Sequence, residues 1–375
     1  MLRGLYIHIP FCRRKCAYCD FASRDTWDPG FLAAYIDALL TDLKASLPPW
    51  EEYTVYIGGG TPSILPPRLL ERLLDALSRF LLRPREFTFE ANPESLDREK
   101  LELLVQGGVT RLSLGVQSFH DHLLATLGRI HTGKEARKKA EMVKERLDNL
   151  NLDLIFGIPG QTSKALERDL EIALSLDPRH ISAYSLTLEG EVPMAVRVEK
   201  GELTLPTEEE WLEMFQLIPE TLASGGFRRY EISNFSLPGK ECLHNLIYWE
   251  NGEYLGLGAS AVSHIGGERI FREEEPLIYI QRIQKGIPPI CEKETLSPWR
   301  KVLETAMVGL RTTRGINPEE IEERWGVTGK RLTAILQDLE AQGLLERAEG
   351  RWRIPERLLP TANEILARIL EQRKD

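Results

Sequence analysis

Short β-branched and aromatic runs alternate with longer amphipathic stretches through the first half of the chain. The runs are GLYIHI near residues 4–9, YTVYIG near 53–58, EFTFEA near 86–91, RLSLGV near 111–116, NLDLIFG near 151–157 and HISAYSL near 180–186. The clearest amphipathic stretch, RLLERLLDALSRFL, sets Leu69, Leu70, Leu73, Leu74, Leu77 and Phe80 on one helical face. Helices are also expected over about 31–46, 96–106, 133–147 and 163–175, with Ser95 and Ser163 placed as N-caps. Strand–helix alternation of this kind builds a parallel sheet with right-handed crossovers. Six such units are too few for a closed eight-stranded barrel and predict an α/β fold, a partial (βα)6 TIM-like barrel over residues 1–235. An open doubly wound sheet fits the same pattern.

The alternation weakens after about residue 205. Residues 207–223 read as helix and 226–270 as irregular and glycine-rich, within a connecting region assigned to 236–295. From 296 to 375 a new pattern begins: helices near 298–310, 317–324 and 328–342, a hairpin at LLERAEGRWRI, and a last helix over 360–372. Helix–helix–helix–hairpin predicts a small α+β winged-helix-like domain.

Charge narrows what that domain can do. Acidic residues outnumber Lys and Arg by 57 to 48, and no basic stripe marks the C-terminal unit, so the electrostatic term behind nucleic-acid binding is missing. A packing or lid role is expected instead. Five cysteines, three of them clustered, suit a reducing compartment rather than a disulfide framework. With no signal-peptide pattern and no apolar run of spanning length, a cytoplasmic protein is expected.

The chemistry-bearing residues follow the strand runs. Cys12 follows the first, Gly58-Gly59-Gly60-Thr61-Pro62 the second, Glu90 and Asn92 the third and Gln117 the fourth, while Asp153 lies in the fifth. In barrels and open α/β sheets, sites form at the C-terminal strand ends. Cys12, Cys16 and Cys19, spaced C-x3-C-x2-C, supply three soft ligands and leave a metal site one short. An iron–sulfur cluster with one open iron fits this spacing. A zinc ion completed by Cys242, Cys291 or His8 is the alternative, although no second CxxC-like pair is present; three metal-free buried cysteines are a third reading. The glycines admit a close backbone approach or simply a tight turn, and neither G-x-G-x-x-G nor G-K-[ST] occurs at them. Glu90 can pair with a ribose hydroxyl or an ammonium and Arg129 with a carboxylate, or both can be solvated surface charges. Asp153 lies in an apolar run, where an unpaired charge is costly, so a ligand or partner is expected.

C-x3-C-x-aromatic-C, with Tyr18 as the aromatic, resembles the signature of the radical S-adenosylmethionine (SAM) enzymes. With YIHIPFC, GGGTP, FEANPE, GVQSF, LGRIHT and DLIFGIPGQT, most of the chain resembles the oxygen-independent coproporphyrinogen III oxidase family. That resemblance implies a 4Fe–4S cluster on Cys12, Cys16 and Cys19, with SAM on the open iron. It implies that Tyr6, Tyr18, Gly59, Gly60, Thr61, Glu90, Gln117, Arg129 and Asp153 line the cofactor, and that an electron donor such as flavodoxin or ferredoxin serves the cluster. The oxidases carry a fourth cysteine two residues after the third and a longer N-terminal arm; here Phe21 stands at that position and Tyr6 lies near the start. Both departures resemble a subgroup of heme chaperones, as does HNLIYW, which matches its H-N-x-x-Y-W motif. The resemblance implies heme at His244, Asn245, Tyr248 and Trp249. Imidazole is a normal axial ligand, and Tyr and Trp offer flat apolar faces to a porphyrin. A purely structural His244 is the competing reading, and His264 is expected to be structural. The implied function is delivery of heme to apo-hemoproteins, with coproporphyrinogen oxidation as the alternative and homodimerisation left open.

Overall fold

In the computed structural model, residues 2–80, 83–190 and 192–371 are described, the Phe80 side chain excepted. Six parallel strands form the centre: β1 (Arg3–Ile9), β2 (Tyr53–Gly59), β3 (Glu86–Ala91), β4 (Arg111–Gln117), β5 (Leu150–Phe156) and β6 (His180–Ser185). Each lies beside its predecessor in sequence. A doubly wound sheet reverses its strand order at a switch point; this one never does, which decides for the partial barrel.

The strands alternate by face. Leu5, Ile7, Val55, Ile57, Phe89, Leu112, Leu114, Leu152 and Leu154 are all buried and form the apolar core with the surrounding helices. Burying one such side chain is worth roughly 1.5–3 kcal/mol. The intervening positions Thr54, Thr88, Arg111, Ser113, Asn151, His180 and Ser182 are equally buried but polar. With a period of two they belong to the opposite face, the inside of the barrel.

Two helix starts differ from expectation. The caps are Asp97, accepting from the Lys100 N–H at 2.9 Å, and Thr162, accepting from the Ala165 N–H at 3.2 Å. Ser95 instead shares a 2.6 Å hydrogen bond with Ser63, and Ser163 is the first helical residue. The short helices Asp121–Leu127 and Pro193–Glu199 were not expected at all.

Residues 226–270 are not irregular. Strands β7 (Arg228–Arg229) and β8 (Asn234–Ser236) extend the sheet antiparallel beyond β6, while β9 (Tyr254–Leu257) pairs parallel with β1 on its other side. From β9 the sheet continues antiparallel through β10 (Val262–Ile265), β11 (Glu268–Arg272) and β12 (Ile290–Thr295), giving twelve strands. These strands are short, and the left-handed glycines Gly258, Gly266 and Gly267 punctuate them, so no hydrophobic period could build up. Asp42, on the helix Pro29–Ser46, anchors this extension: it receives Arg272 Nε at 2.8 Å, Arg272 Nη2 at 3.1 Å and the Tyr279 hydroxyl at 2.8 Å.

A short helix, Leu243–Trp249, packs against β1 and β2. Glu86 of β3 accepts from the Cys242 thiol at 3.4 Å and from the backbone N–H groups of Leu243 and His244 at 3.1 and 3.2 Å. The C-terminal unit has helices Pro298–Gly309, Pro318–Arg324 and Arg331–Ala341, the hairpin β13 (Glu346–Ala348) and β14 (Arg351–Arg353), and a last helix, Ala362–Leu370. It grips the end of the short helix: Arg324 donates to the carbonyls of Glu250 and Asn251 at 2.8 and 2.5 Å. Among the described residues no helix is long and apolar enough to cross a membrane.

Candidate functional site

The C-terminal ends of the parallel strands surround a pocket of about 390 Å³ that all three clustered cysteines line. The cysteine loop is tied down by its backbone. Cys12 N–H donates to Arg24 O and Arg24 N–H to Pro10 O, each at 2.9 Å, and Trp27 Nε1 donates to Cys12 O at 2.9 Å. Thr61 Oγ1 donates to Cys12 Sγ at 3.5 Å and Arg129 Nη1 to Cys16 Sγ at 3.4 Å. The glycines after β2 serve a close approach. A Cβ on Gly60 would lie 2.7 Å from Phe11 O and 2.9 Å from Cys12 Sγ, while Gly59, at φ +117°, abuts the His8 ring. The cysteine loop itself therefore excludes side chains there.

All five cysteines are free. Burial pushes the Cys19 thiol up to about 11 and raises that of Cys12, so proton loss at these sulfurs has to be coupled to metal binding. Among the described residues no three His, Cys, Asp or Glu side chains can share a single metal ion. Three thiols lining one pocket supply the protein ligands of a cubane with one iron left open. The alternative fourth ligands are engaged elsewhere. His8 faces the Tyr6 hydroxyl at 2.8 Å and Ala22 O at 2.9 Å, Cys242 donates to Glu86, and Cys291 lies by the carbonyls of Phe271 and Arg272.

The same pocket gathers most of the other expected residues. Tyr18, Gly59, Gly60 and Thr61 line it, as do Glu90, Gln117, Arg129 and Asp153; Tyr6 is not among its lining residues. Glu90 accepts from the Tyr56 hydroxyl at 2.6 Å and from Gly59 N–H at 3.2 Å. Burial, with some help from Asp153, lifts its carboxyl to about 7. Arg129 is no solvated surface charge: its Nη2 donates to Asn92 Oδ1 at 2.8 Å and Gly115 O at 3.0 Å. The half-buried Asp153 has the partners expected of it, Ser113 Oγ at 2.7 Å and Asn151 Nδ2 at 2.8 Å. Gln117, buried at a strand irregularity, has φ +66°. Arg129 opposite Glu90 and Asp153 in one cavity suits a ligand carrying both an ammonium and a carboxylate. Phe21 stands at the rim, 65% exposed.

The motif His244–Trp249 lies elsewhere, beside the N-terminal ends of β1 and β2. His244 is fully buried, with Nδ1 2.7 Å from Thr54 Oγ1 and Nε2 2.9 Å from the Tyr248 hydroxyl. Burial, reinforced by Arg111, lowers its pKa to about 3 and keeps the ring neutral. Asn245, Tyr248 and Trp249 are half-buried. His264 is not among the pocket's lining residues, and its Nδ1 lies 2.9 Å from Gly252 O. Asn92, expected at the end of the third strand run, lines the pocket, as do Tyr56, Ser113 and Gly115, which were not expected as site residues. Ser113 and Gly115 carried a signal, a polar and a small residue at alternate positions of a buried strand; Tyr56 carried none.

A six-stranded parallel core with three cysteines after its first strand defines a class, and the class is matched by sequence. The family model described as the radical SAM superfamily matches residues 6–173, and that described as the HemN C-terminal domain matches residues 296–357. The heme chaperone HemW of Bacillus subtilis is 38% identical, with 93% of this chain and 94% of that protein covered. HemW of Lactococcus lactis is 36% identical, covering 97% and 96%. The chain belongs to the HemW family within the radical SAM superfamily. Radical SAM membership implies a 4Fe–4S cluster and SAM. Coproporphyrinogen III oxidase (HemN) from Escherichia coli shares the fold, with a TM-score of 0.82 at 22% identity over 98% of this chain and 89% of that one.

Proposed function

We propose that the protein is a heme-binding chaperone that delivers heme to apo-hemoproteins, with a 4Fe–4S cluster on Cys12, Cys16 and Cys19 and SAM on its open iron. When bound, the cluster supplies one-electron reduction, fed by a donor such as flavodoxin or ferredoxin. Arg129 would hold the methionyl carboxylate, and Glu90 and Asp153 the ammonium and ribose hydroxyls. Tyr18, Gly59, Gly60, Thr61 and Gln117 would shape the walls. The free thiols suit a reducing cytoplasm.

One observation carries the heme reading. His244 is a neutral imidazole whose Nδ1 is fixed by Thr54, so its Nε2 is the ring nitrogen left to meet a metal. The half-buried Tyr248 phenol covers that nitrogen. If Tyr248 swings outward, Nε2 can ligate heme iron, and Tyr248, Asn245 and Trp249 flank the entering ring. The relatives' description as heme chaperones supports the same reading. The test is hemin titration of the cluster-loaded protein. A Soret shift is expected, changed in position and weakened by His244→Ala. An identical band and affinity in that variant would assign heme to another ligand, and turnover of coproporphyrinogen III would restore the oxidase alternative.

A further inference from the structure

We infer that Tyr56 couples the occupancy of the cofactor pocket to the release of His244, so that a cationic ligand on Glu90 and heme on His244 oppose each other. The inference rests on the reading just given for the two sites. Tyr56 touches both. Its hydroxyl donates to Glu90 Oε1 at 2.6 Å, and its ring lies 5.1 Å from the His244 ring, inclined by 35°. Two glycines show how little slack surrounds this column. A Cβ on Gly58 would sit 2.9 Å from both Glu90 Oε2 and the Tyr56 ring, and a Cβ on Gly4 would sit 2.9 Å from His244 Cε1. Packed interiors of this kind shift between discrete arrangements rather than deform gradually.

A second, hydrogen-bonded line reaches the same short helix. Asp153 accepts from Asn151; Asn151 Oδ1 meets His180 Nδ1 at 2.6 Å; His180 Nε2 meets the Tyr230 hydroxyl at 2.8 Å; and that hydroxyl accepts from Cys242 N–H at 3.4 Å. Glu90 and Asp153 thus both connect to the helix, one at His244 and one at its N-cap.

The direction follows from charge. An ammonium or sulfonium beside Glu90 holds the carboxylate ionised, and an ionised acceptor strengthens the Tyr56 hydrogen bond. Tyr56 then stays pressed on His244, and the ring keeps its contacts with Thr54 and Tyr248. Iron at Nε2 requires the ring and Tyr248 to move. Two ligands that favour opposite arrangements weaken each other by the same factor. Tyr56 is a positioning residue in this scheme.

The test uses full-length, cluster-reconstituted protein and measures backbone hydrogen exchange over residues 243–250, with and without saturating SAM and without hemin. SAM is expected to slow exchange there about fivefold or more in wild type. In Tyr56→Phe, which keeps the ring and loses the hydroxyl, SAM affinity should fall by less than about tenfold while the slowing disappears. No slowing in SAM-saturated wild type overturns the inference. Equal slowing in the variant overturns it too, and so does loss of SAM binding by the variant, which would make Tyr56 part of the ligand site. A hemin titration completes the set: SAM should weaken hemin uptake by wild type at least threefold and leave Tyr56→Phe unaffected. Absence of any hemin uptake by wild type would sink the chaperone reading alone, because the exchange result needs no heme.

Discussion

Arg129 reaches the Cys16 sulfur over 3.4 Å with one guanidinium nitrogen while the other holds Asn92 and the Gly115 carbonyl. The half-buried guanidinium of Arg129 thus touches a proposed cluster ligand and lines the pocket proposed for SAM. Arg129→Ala should weaken SAM binding by about 1.5–3 kcal/mol, the worth of a charge-assisted hydrogen bond, or roughly tenfold to a hundredfold. SAM titration followed by EPR of the reduced cluster measures it. Iron content should hold, because no cysteine is lost.

Cys16→Ser removes one of three thiolates. After anaerobic reconstitution, wild type should hold about four irons and four sulfides per chain, as expected of a cubane, and the variant should hold far fewer. Full iron and sulfide content in Cys16→Ser would refute the ligand assignment.

Glu90 makes stability depend on pH. Burial raises its carboxyl from the usual 4.5 to about 7 in the folded chain. The folded state therefore binds the proton more tightly than the unfolded one. The resulting stabilisation is complete below about pH 4.5 and is lost as the pH rises through about 7. Over the full range it is worth on the order of 3 kcal/mol. Denaturant melts of SAM-free protein at pH 5 and pH 8 should show this loss in wild type, and Glu90→Gln should lack it. SAM, which favours the ionised carboxylate, should bind more weakly as the pH falls below about 7.

Asp42 and Arg272 form an ion pair whose side chains are only 2% and 4% exposed. Asp42→Ala leaves a buried guanidinium without its partner and also strands the Tyr279 hydroxyl. A loss of about 3–5 kcal/mol is expected in equilibrium unfolding. The double variant Asp42→Ala/Arg272→Met should recover part of it, since the orphaned charge is then gone.

The six parallel strands and the cysteine loop were legible because each is a local pattern: an apolar run, a turn, a spacing. The last four strands of the sheet were not, because runs such as Tyr254–Leu257 and Val262–Ile265 are only four residues long. What defines Tyr254–Leu257 is its partner, β1, at the far end of the sequence. The site divided in the same way. Cys12, Glu90 and Asp153 were singled out by position and residue type and do line one pocket, whereas Tyr56 looked like an ordinary strand aromatic. Only the fold shows that it points inward with Thr54, away from Val55 and Ile57. The N-caps were misplaced for a smaller reason: Ser95 had a better partner in Ser63, and Asp97 took the cap.

The placement of β1 has a consequence for how the chain is made. β1 meets β2 after about 50 residues but its other neighbour, β9, only after about 250. Pairs so far apart form slowly, because a long loop must close before any contact is gained. During synthesis, which proceeds at roughly 5–20 residues per second, the six-stranded core emerges with an open apolar edge at β1. For that interval it can pair with a neighbouring chain instead. A version ending near residue 235 would keep that edge permanently, and association through β1 is its natural fate.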